Sequence, residues 1–169
     1  MEGKKIKDSQ VTTIQQMTHQ DANFAGNVHG GVVMKHIDST AGIVATRHAC
    51  SNVVTASIDR LDFYSPVYVG DLLILKAGVN MVGKTSMEVG VRVEAQNYIT
   101  GETRTTALAY LTYVALDTEG KPAQVPPLIF ETEEEIRRST EAKARRQMRL
   151  AERIREYKAK AIQPDSKNV

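Results

Sequence analysis

The middle of the chain alternates apolar and polar residues in four successive runs, and this alternation predicts four β-strands. The run that begins at Met87 alternates most strictly, so one of its faces is expected to be dry and the other wet. The first run changes parity between Ile58 and Leu61, which indicates a bulge or a strong bend. Short connections join the runs, so the sheet is expected to be mostly antiparallel. The four predicted strands cover residues 53–64, 72–82, 87–96 and 103–116.

An apolar stretch with helical spacing precedes these strands and predicts a long helix over residues 28–49. Asn27 is the expected N-cap, and residues 50–52 end the helix. A short run at 11–17 favours an edge strand, and residues 18–26 favour a loop. The simplest packing is an α+β fold in which a curved antiparallel sheet wraps around the helix. Because one helix leaves a sheet edge uncovered, pairing with a second copy is expected.

The last third of the chain changes character. Residues 117–130 contain glycine and three prolines and indicate an exposed linker. From residue 131 a charged helix is predicted, acidic in its first turn and basic after residue 136, with a thin apolar stripe. It is either a solvated helix packed on its own subunit or a neighbour, or a basic surface for phosphates. We therefore divide the chain into a domain at 1–130 and a helical extension at 131–169, of which 163–169 is expected to be frayed.

Composition narrows the class of protein. The chain has 169 residues, 41% of them hydrophobic, which suits one domain with a mainly aliphatic core because no tryptophan is present. The net charge of +2 is too small to indicate a nucleic-acid or membrane partner. The single cysteine, Cys50, excludes an intrachain disulfide. With no apolar segment in residues 1–10 and no run near 18 apolar residues, a soluble cytoplasmic protein is expected.

The start of the predicted helix is the first candidate for chemistry. Free backbone N–H groups at a helix start carry partial positive charge, and Gly30 and Gly31 allow a ligand oxygen to come close. Such donors suit an oxygen that gains negative charge during acyl transfer, and the Asn27 side chain can add another donor or position a water. The alternative is that these glycines only permit a tight turn.

The second candidate is Asp38, an acid within an otherwise apolar helix. It can act as a general base toward water or as a nucleophile toward a carbonyl, or it can be a buried acid bonded to Ser39, Thr40 or a neighbouring strand. Gly31 and Asp38 are seven residues apart, about 10 Å along a helix, so one small carbonyl cannot reach both. If both act, they come from two chains and the site is shared across a dimer interface.

His29 lies beside the glycine turn and can serve as a general base, orient the loop, or bind a phosphate or water. The four histidines are not spaced as a metal cluster, and no CxxC, HExxH, phosphate-loop or GxSxG motif is present. No metal is expected.

Three segments resemble the hotdog-fold acyl-CoA thioesterases, including the cytosolic and brain acyl-CoA hydrolases. They read DANFAGNVHGGVVMKHIDSTAGIVATRH, NVVTASIDRLDFYSPVYVGDLL and NMVGKTSMEVGVRVEAQ. The match extends from about residue 10 to about residue 145. The resemblance implies a hotdog fold, dimers that often assemble as trimers of dimers, and hydrolysis of acyl-CoA to free acid and CoA. It implies no cofactor, because CoA is part of the substrate and product.

The same resemblance implies roles for individual residues. Tandem family members carry a functional asparagine in one domain and a functional aspartate in the other, and this chain has Asn27 and Asp38 at the matching positions. The Gly30–Gly31 amides are placed against the thioester oxygen. Basic and hydroxyl side chains are candidates for the phosphates or pantetheine of CoA: Arg60, Lys84, Arg92, Thr85, Ser86, Arg145 and Arg146.

Two other functions remain open on the residues. His29 and Asp38 can form the acid–base pair of a hotdog dehydratase or hydratase. The third hypothesis is a non-catalytic regulator that binds acyl-CoA. Its only candidate output segment, the part that would pass the signal on, is the basic C-terminal segment.

Overall fold

The computed structural model describes residues 1–162 and confirms a long helix followed by four long strands. The expected fraying at 163–169 lies outside the described residues. In chain order the elements are β1 (Lys4–Lys5), α1 (Ile6–Ser9), β2 (Val11–Gln16), a 3-10 turn (His19–Asp21), α2 (Gly30–Ala49), β3 (Asn52–Phe63), β4 (Leu72–Val82), β5 (Ser86–Gln96), β6 (Thr103–Leu116), β7 (Leu128–Ile129) and α3 (Glu133–Ile162).

Five strands form one antiparallel sheet in the order β2-β4-β5-β6-β3, so β2 and β3 are its two edges. The edge position predicted for the run at 11–17 is confirmed. The register of β3 against β6 shifts between Thr55 and Ser57 and again between Ile58 and Arg60, which confirms the predicted irregularity. These shifts bend the edge strand where it passes beside α2.

The sheet has a dry inner face and a polar outer face, as its alternation predicts. Alternate residues of β4 and β5, such as Leu75 and Val89, are fully buried against α2. The expected α+β arrangement of a sheet around one apolar helix is confirmed. The helix residues in this core are Val33, Ile37, Ala41, Val44 and Ala45.

The segments at 1–10 and 117–130 are more ordered than the sequence predicts. β1 pairs in parallel with β7, and Val125 is only 3% exposed. The buried His48 at the end of α2 bonds the carbonyl oxygen of Pro126 through Nε2 at 2.9 Å. The prediction of an exposed linker was therefore wrong for Val125 and Pro126, which are buried, and for Leu128–Ile129, which forms a short strand. A proline has no N–H to donate to a sheet, but its carbonyl oxygen can accept a hydrogen bond and its ring can be buried against a helix end.

Helix α3 crosses the outer face of the sheet and is fixed there by two ion pairs. Arg145 bonds the buried Glu88 of β5 at 2.7 Å, and Arg149 bonds Asp59 of β3. The Arg145 guanidinium also stacks over the ring of Tyr110, 3.8 Å from its centroid. The helix is therefore packed on its own subunit up to Arg149. Within residues 1–162, no helix is long and apolar enough to cross a membrane.

Candidate active site

The loop before α2 folds back on itself as a small hairpin. The N–H of His29 donates to the carbonyl oxygen of Asp21 at 2.7 Å, and the N–H of Asn23 donates to that of Asn27 at 2.7 Å. Gly26 has a φ of +85°, a conformation that favours glycine, at the tip of this hairpin. These bonds hold Asn23 next to the start of the helix.

The side chain of Asn23 is oriented by its own loop. Its Oδ1 accepts the N–H of Ala25 at 2.8 Å, as in an Asx-turn. The amide Nδ2 has no acceptor among residues 1–162, so both of its N–H donors are available to a ligand. The sequence pattern does not single out Asn23, because Asn27 lies closer to the glycines.

Helix α2 begins at Gly30, which makes His29 its N-cap. The ring Nδ1 of His29 accepts the N–H of Gly31 at 2.9 Å. Two predictions were therefore wrong: Asn27 is not the cap, and the Gly31 amide is not free. The N–H of Gly30 has no acceptor within the described part of the chain, so this amide is the one that can face a ligand.

Asp38 lies two turns along α2 and is half-buried between the helix and the sheet. Its Oδ1 accepts the hydroxyl of Thr55 on β3 and the hydroxyl of Tyr113 on β6, each at 2.8 Å. Its Oδ2 has no donor among residues 1–162. One carboxylate oxygen is thus held by two hydroxyls while the other is available for chemistry. Thr40, named as a possible partner, bonds Thr13 instead.

Tyr113 is 2% exposed and is the strongest support for Asp38. Burial and the bond to the carboxylate raise the pKa of the Tyr113 phenol, so it remains a donor. Its hydroxyl also bonds the carbonyl oxygen of Asp38 at 2.9 Å, which fixes the side chain relative to the helix.

The helix start and the carboxylate are two separate half-sites within one chain. Gly30 and Asp38 are eight residues apart on α2, about 12 Å. The two half-sites also face different parts of β3. A Cβ at Gly30 would lie 3.8 Å from the ring of Phe63, whereas Asp38 bonds Thr55. His29, bonded to Gly31, belongs to the helix start and forms no acid–base pair with Asp38 in this chain.

The structure separates the residues predicted to bind CoA into two groups. Lys84 and Thr85 lie in the β4–β5 turn, and Ser86 begins β5, where it pairs with Val114, the neighbour of Tyr113. This turn therefore lies at the same end of the sheet as Asp38. The Lys84 side chain is exposed there.

The other predicted arginines lie on the outer face of the sheet. Arg60 is opposite Tyr110 in the β3–β6 register, on the face covered by α3, and pairs with Asp62. Arg145 is held by Glu88, with its side chain 19% exposed. Arg145 thus balances the charge of a buried carboxylate in this chain, and its predicted contact with a phosphate stays a prediction. Arg92, also predicted, pairs with Glu94 at 2.9 Å.

Comparisons with known proteins place this geometry in a family. A family model described as the thioesterase superfamily matches residues 25–101. An uncharacterized acyl-CoA thioester hydrolase of Bacillus subtilis is 42% identical over 135 residues, which cover 80% of this chain and 78% of that protein. The cytosolic acyl coenzyme A thioester hydrolase of Rattus norvegicus is 38% identical over 146 residues, 85% of this chain. The chain spans only 38% of the length of that mammalian relative.

Two solved structures show the same fold. An apo-hexameric acyl-CoA thioesterase is 41% identical with a TM-score of 0.87, over 90% of this chain and 97% of its own. The acyl-CoA hydrolase of Staphylococcus aureus, solved with butyryl coenzyme A, coenzyme A and coenzyme A disulfide, is 38% identical with a TM-score of 0.85, over 92% of this chain and 95% of its own. That enzyme has also been solved with single asparagine, aspartate and threonine residues replaced by alanine. This chain therefore belongs to the hotdog-fold acyl-CoA thioesterases of the thioesterase superfamily.

Proposed function

We infer that this protein hydrolyses acyl-CoA thioesters to the free acid and CoA. The observation that supports this inference is that α2 presents two different chemical groups at two separate positions. Its first turn offers the Gly30 N–H to a carbonyl oxygen, and its middle holds a carboxylate with one oxygen that has no donor in the described chain. Relatives named acyl-CoA thioester hydrolases and a neighbour solved with CoA species support the same substrate class.

The thioester oxygen is proposed to lie between the Gly30 N–H and the Asn23 amide. Both donors are without acceptors in the described chain, and a developing oxyanion is stabilised by donors already in place. Spacing supports the choice of Asn23 over Asn27. In the Staphylococcus aureus variants the asparagine lies fifteen residues before the aspartate, and the threonine lies seventeen residues after it. Asn23, Asp38 and Thr55 have this spacing here.

Asp38 is proposed to drive the attack on the carbonyl carbon through Oδ2, either by activating a water or by acting itself as the nucleophile. Thr55 and Tyr113 hold Oδ1 and aim the free oxygen. His29 contributes by capping α2 at Gly31, which leaves the preceding amide, that of Gly30, for the substrate.

Each complete site is proposed to combine the helix start of one chain with Asp38 of a second chain. The 12 Å between Gly30 and Asp38 requires this if both contact one carbonyl. The edge strand β3 is the surface for pairing, because it exposes Val54, Ile58 and Phe63. A homodimer would then hold two sites, and a trimer of such dimers would agree with a neighbour named as hexameric. Lys84, Thr85 and Ser86 are proposed to contact CoA, and a cytoplasmic location is proposed from cytosolic relatives.

The test is complementation between two inactive chains. Asn23→Ala and Asp38→Ala homodimers should each lose most of the activity, measured as free thiol released from butyryl-CoA with a thiol reagent. After equal amounts are unfolded and refolded together, half of the dimers should be mixed, each with one intact site, so activity should return to about a quarter of the parent's. The control is the Asn27→Ala homodimer, which should remain active. No recovery in the mixture would refute the shared site, and full activity of Asp38→Ala would refute the reaction proposed for this residue.

A further inference from the structure

Helix α3 carries an exposed seam along its whole described length. We define the α3 seam as the seven positions that follow one another at alternating spacings of four and three residues. That spacing is typical of helices that pack along each other. Its apolar members are largely exposed: Ile136 at 52%, Leu150 at 46%, Ile154 at 56% and Tyr157 at 78%. The seam comprises Ile136, Thr140, Lys143, Gln147, Leu150, Ile154 and Tyr157.

The second half of α3 extends past the edge of its own sheet. Arg145 contacts β5 and β6, and Arg149, four residues later, contacts the edge strand β3. Four residues advance the helix by about 6 Å, close to the spacing of about 4.8 Å between strands, so α3 runs across the strands. The remaining residues to Ile162 would reach about 20 Å further. Every side chain described from residue 150 to residue 159 is exposed.

Charge is divided between the two ends of α3. The first end is acidic, because four carboxylates, of which Glu134 and Glu141 are paired, stand against only Arg137 and Arg138. The second end has a small excess of positive charge. A parallel second copy would bring the two acidic ends together, whereas an antiparallel copy brings the acidic end of each helix toward the more basic end of the other. The exposed charged residues from 150 to 159 are the cations Arg153, Arg155 and Lys158 and the acids Glu152 and Glu156.

We propose that the α3 seam packs antiparallel against the α3 seam of a second copy of this chain. The proposal rests on the dimer in the proposed function, because it places the second copy beyond β3. A two-fold axis there would bring two copies of α3 together in opposite directions, since such an interface uses the same patch on both chains. The contact would cover Leu150, Ile154 and Tyr157, which the chain's own sheet cannot reach.

Disulfide trapping tests the contact in the full-length chain. In a Cys50→Ser background, single cysteines replace Gln147, Leu150 or Ile154, the seam positions nearest the point where α3 passes the β3 edge. The matched control is Glu152→Cys, because position 152 is equally exposed but lies about 160° around the helix from Leu150. Under mild oxidation of dilute protein, at least one seam variant should form a covalent dimer at least tenfold faster than the control. No covalent dimer from any seam variant, or an equal yield from the control, would overturn the proposal.

A second measurement separates this contact from the shared active site. Leu150→Glu combined with Ile154→Glu should raise the dimer dissociation constant at least tenfold in sedimentation, while Glu152→Gln, on the opposite side of the helix, should change it less than threefold. An unchanged constant in the double variant would also overturn the proposal. If mixed Asn23→Ala and Asp38→Ala chains regain activity but no seam cysteine crosslinks, the α3 contact fails and the proposed function stands. If the mixture regains nothing while seam cysteines crosslink, the shared site fails instead.

Discussion

Removing one oxygen atom from Tyr113 gives the most direct test of how Asp38 is held. Tyr113→Phe deletes the hydroxyl that donates to Oδ1 and to the carbonyl oxygen of Asp38, at 2.8 and 2.9 Å. The phenyl ring retains the volume of a side chain that is 2% exposed, so the core should remain packed. Thr55 would still hold Oδ1, so the carboxylate would be less constrained but not released.

The size of the effect follows from the kind of hydrogen bond. A bond to a charged group contributes about 1.5–3 kcal/mol. If the constraint acts mainly in the transition state, the loss corresponds to a decrease in kcat of about 10- to 150-fold. KM should change little, because Tyr113 does not lie at the helix start or at the β4–β5 turn. A loss confined to KM would place Tyr113 in substrate binding instead.

Steady-state hydrolysis of butyryl-CoA, followed by thiol release, measures both constants. Tyr110→Phe is the matched control, because Tyr110 lies on the same strand but on the outer face, under Arg145. It should keep kcat within about twofold of the parent. A kcat for Tyr113→Phe that is equally close to the parent's would refute the claim that this hydroxyl aims Asp38.

Three further predictions concern stability, each measured by urea unfolding. His29→Ala should lower the free energy of unfolding by about 1 kcal/mol, because the cap on α2 is lost, whereas His29→Asn should restore most of it. Arg145→Met should lower the free energy of unfolding by about 3 kcal/mol, because it leaves the carboxylate of Glu88, 1% exposed, without its cation. Arg137→Met, which breaks an exposed pair, should change it little. Burial lowers the pKa of His48, so the unfolded chain binds a proton there more readily than the folded chain does. The free energy of unfolding should therefore fall as the pH drops below about 6.5. A free energy of unfolding that stays constant from pH 7.5 to 5.5 would contradict this.

The fold could be predicted because its signals are periodic and local. Strict alternation marked β5 and the inner face of β4, and the parity change in β3 corresponds to real register shifts. The order of strands and the outer-face network could not be read in the same way. Glu88 and Asp59 are buried only because α3 brings Arg145 and Arg149 to them, 57 and 90 residues away in sequence. Ion pairs between residues so far apart in sequence cannot be predicted from a local pattern of apolar and polar residues.

The candidate site was predicted in outline and corrected in detail for the same reason. Asp38 stands out because an acid in an apolar helix is unusual. Asn23 does not, since only the hairpin from Asp21 to His29 shows that its side-chain N–H groups have no acceptor in the described chain. Likewise, Thr55 and Tyr113 look like ordinary strand residues until the register aligns them with each other.

The position of Asp38 within α2 explains why a complete active site would require two chains. A carboxylate in the first turn would lie beside the Gly30 amide and could complete a site within one chain. Two turns further on, it instead meets Thr55 and Tyr113, which fix one oxygen and leave the other without a donor among residues 1–162. A shift of one turn, about 5.4 Å, would lose both hydroxyl donors. The same spacing that supports the carboxylate therefore separates it from the helix start, and a second copy paired along β3 is the arrangement that would bring the two half-sites together.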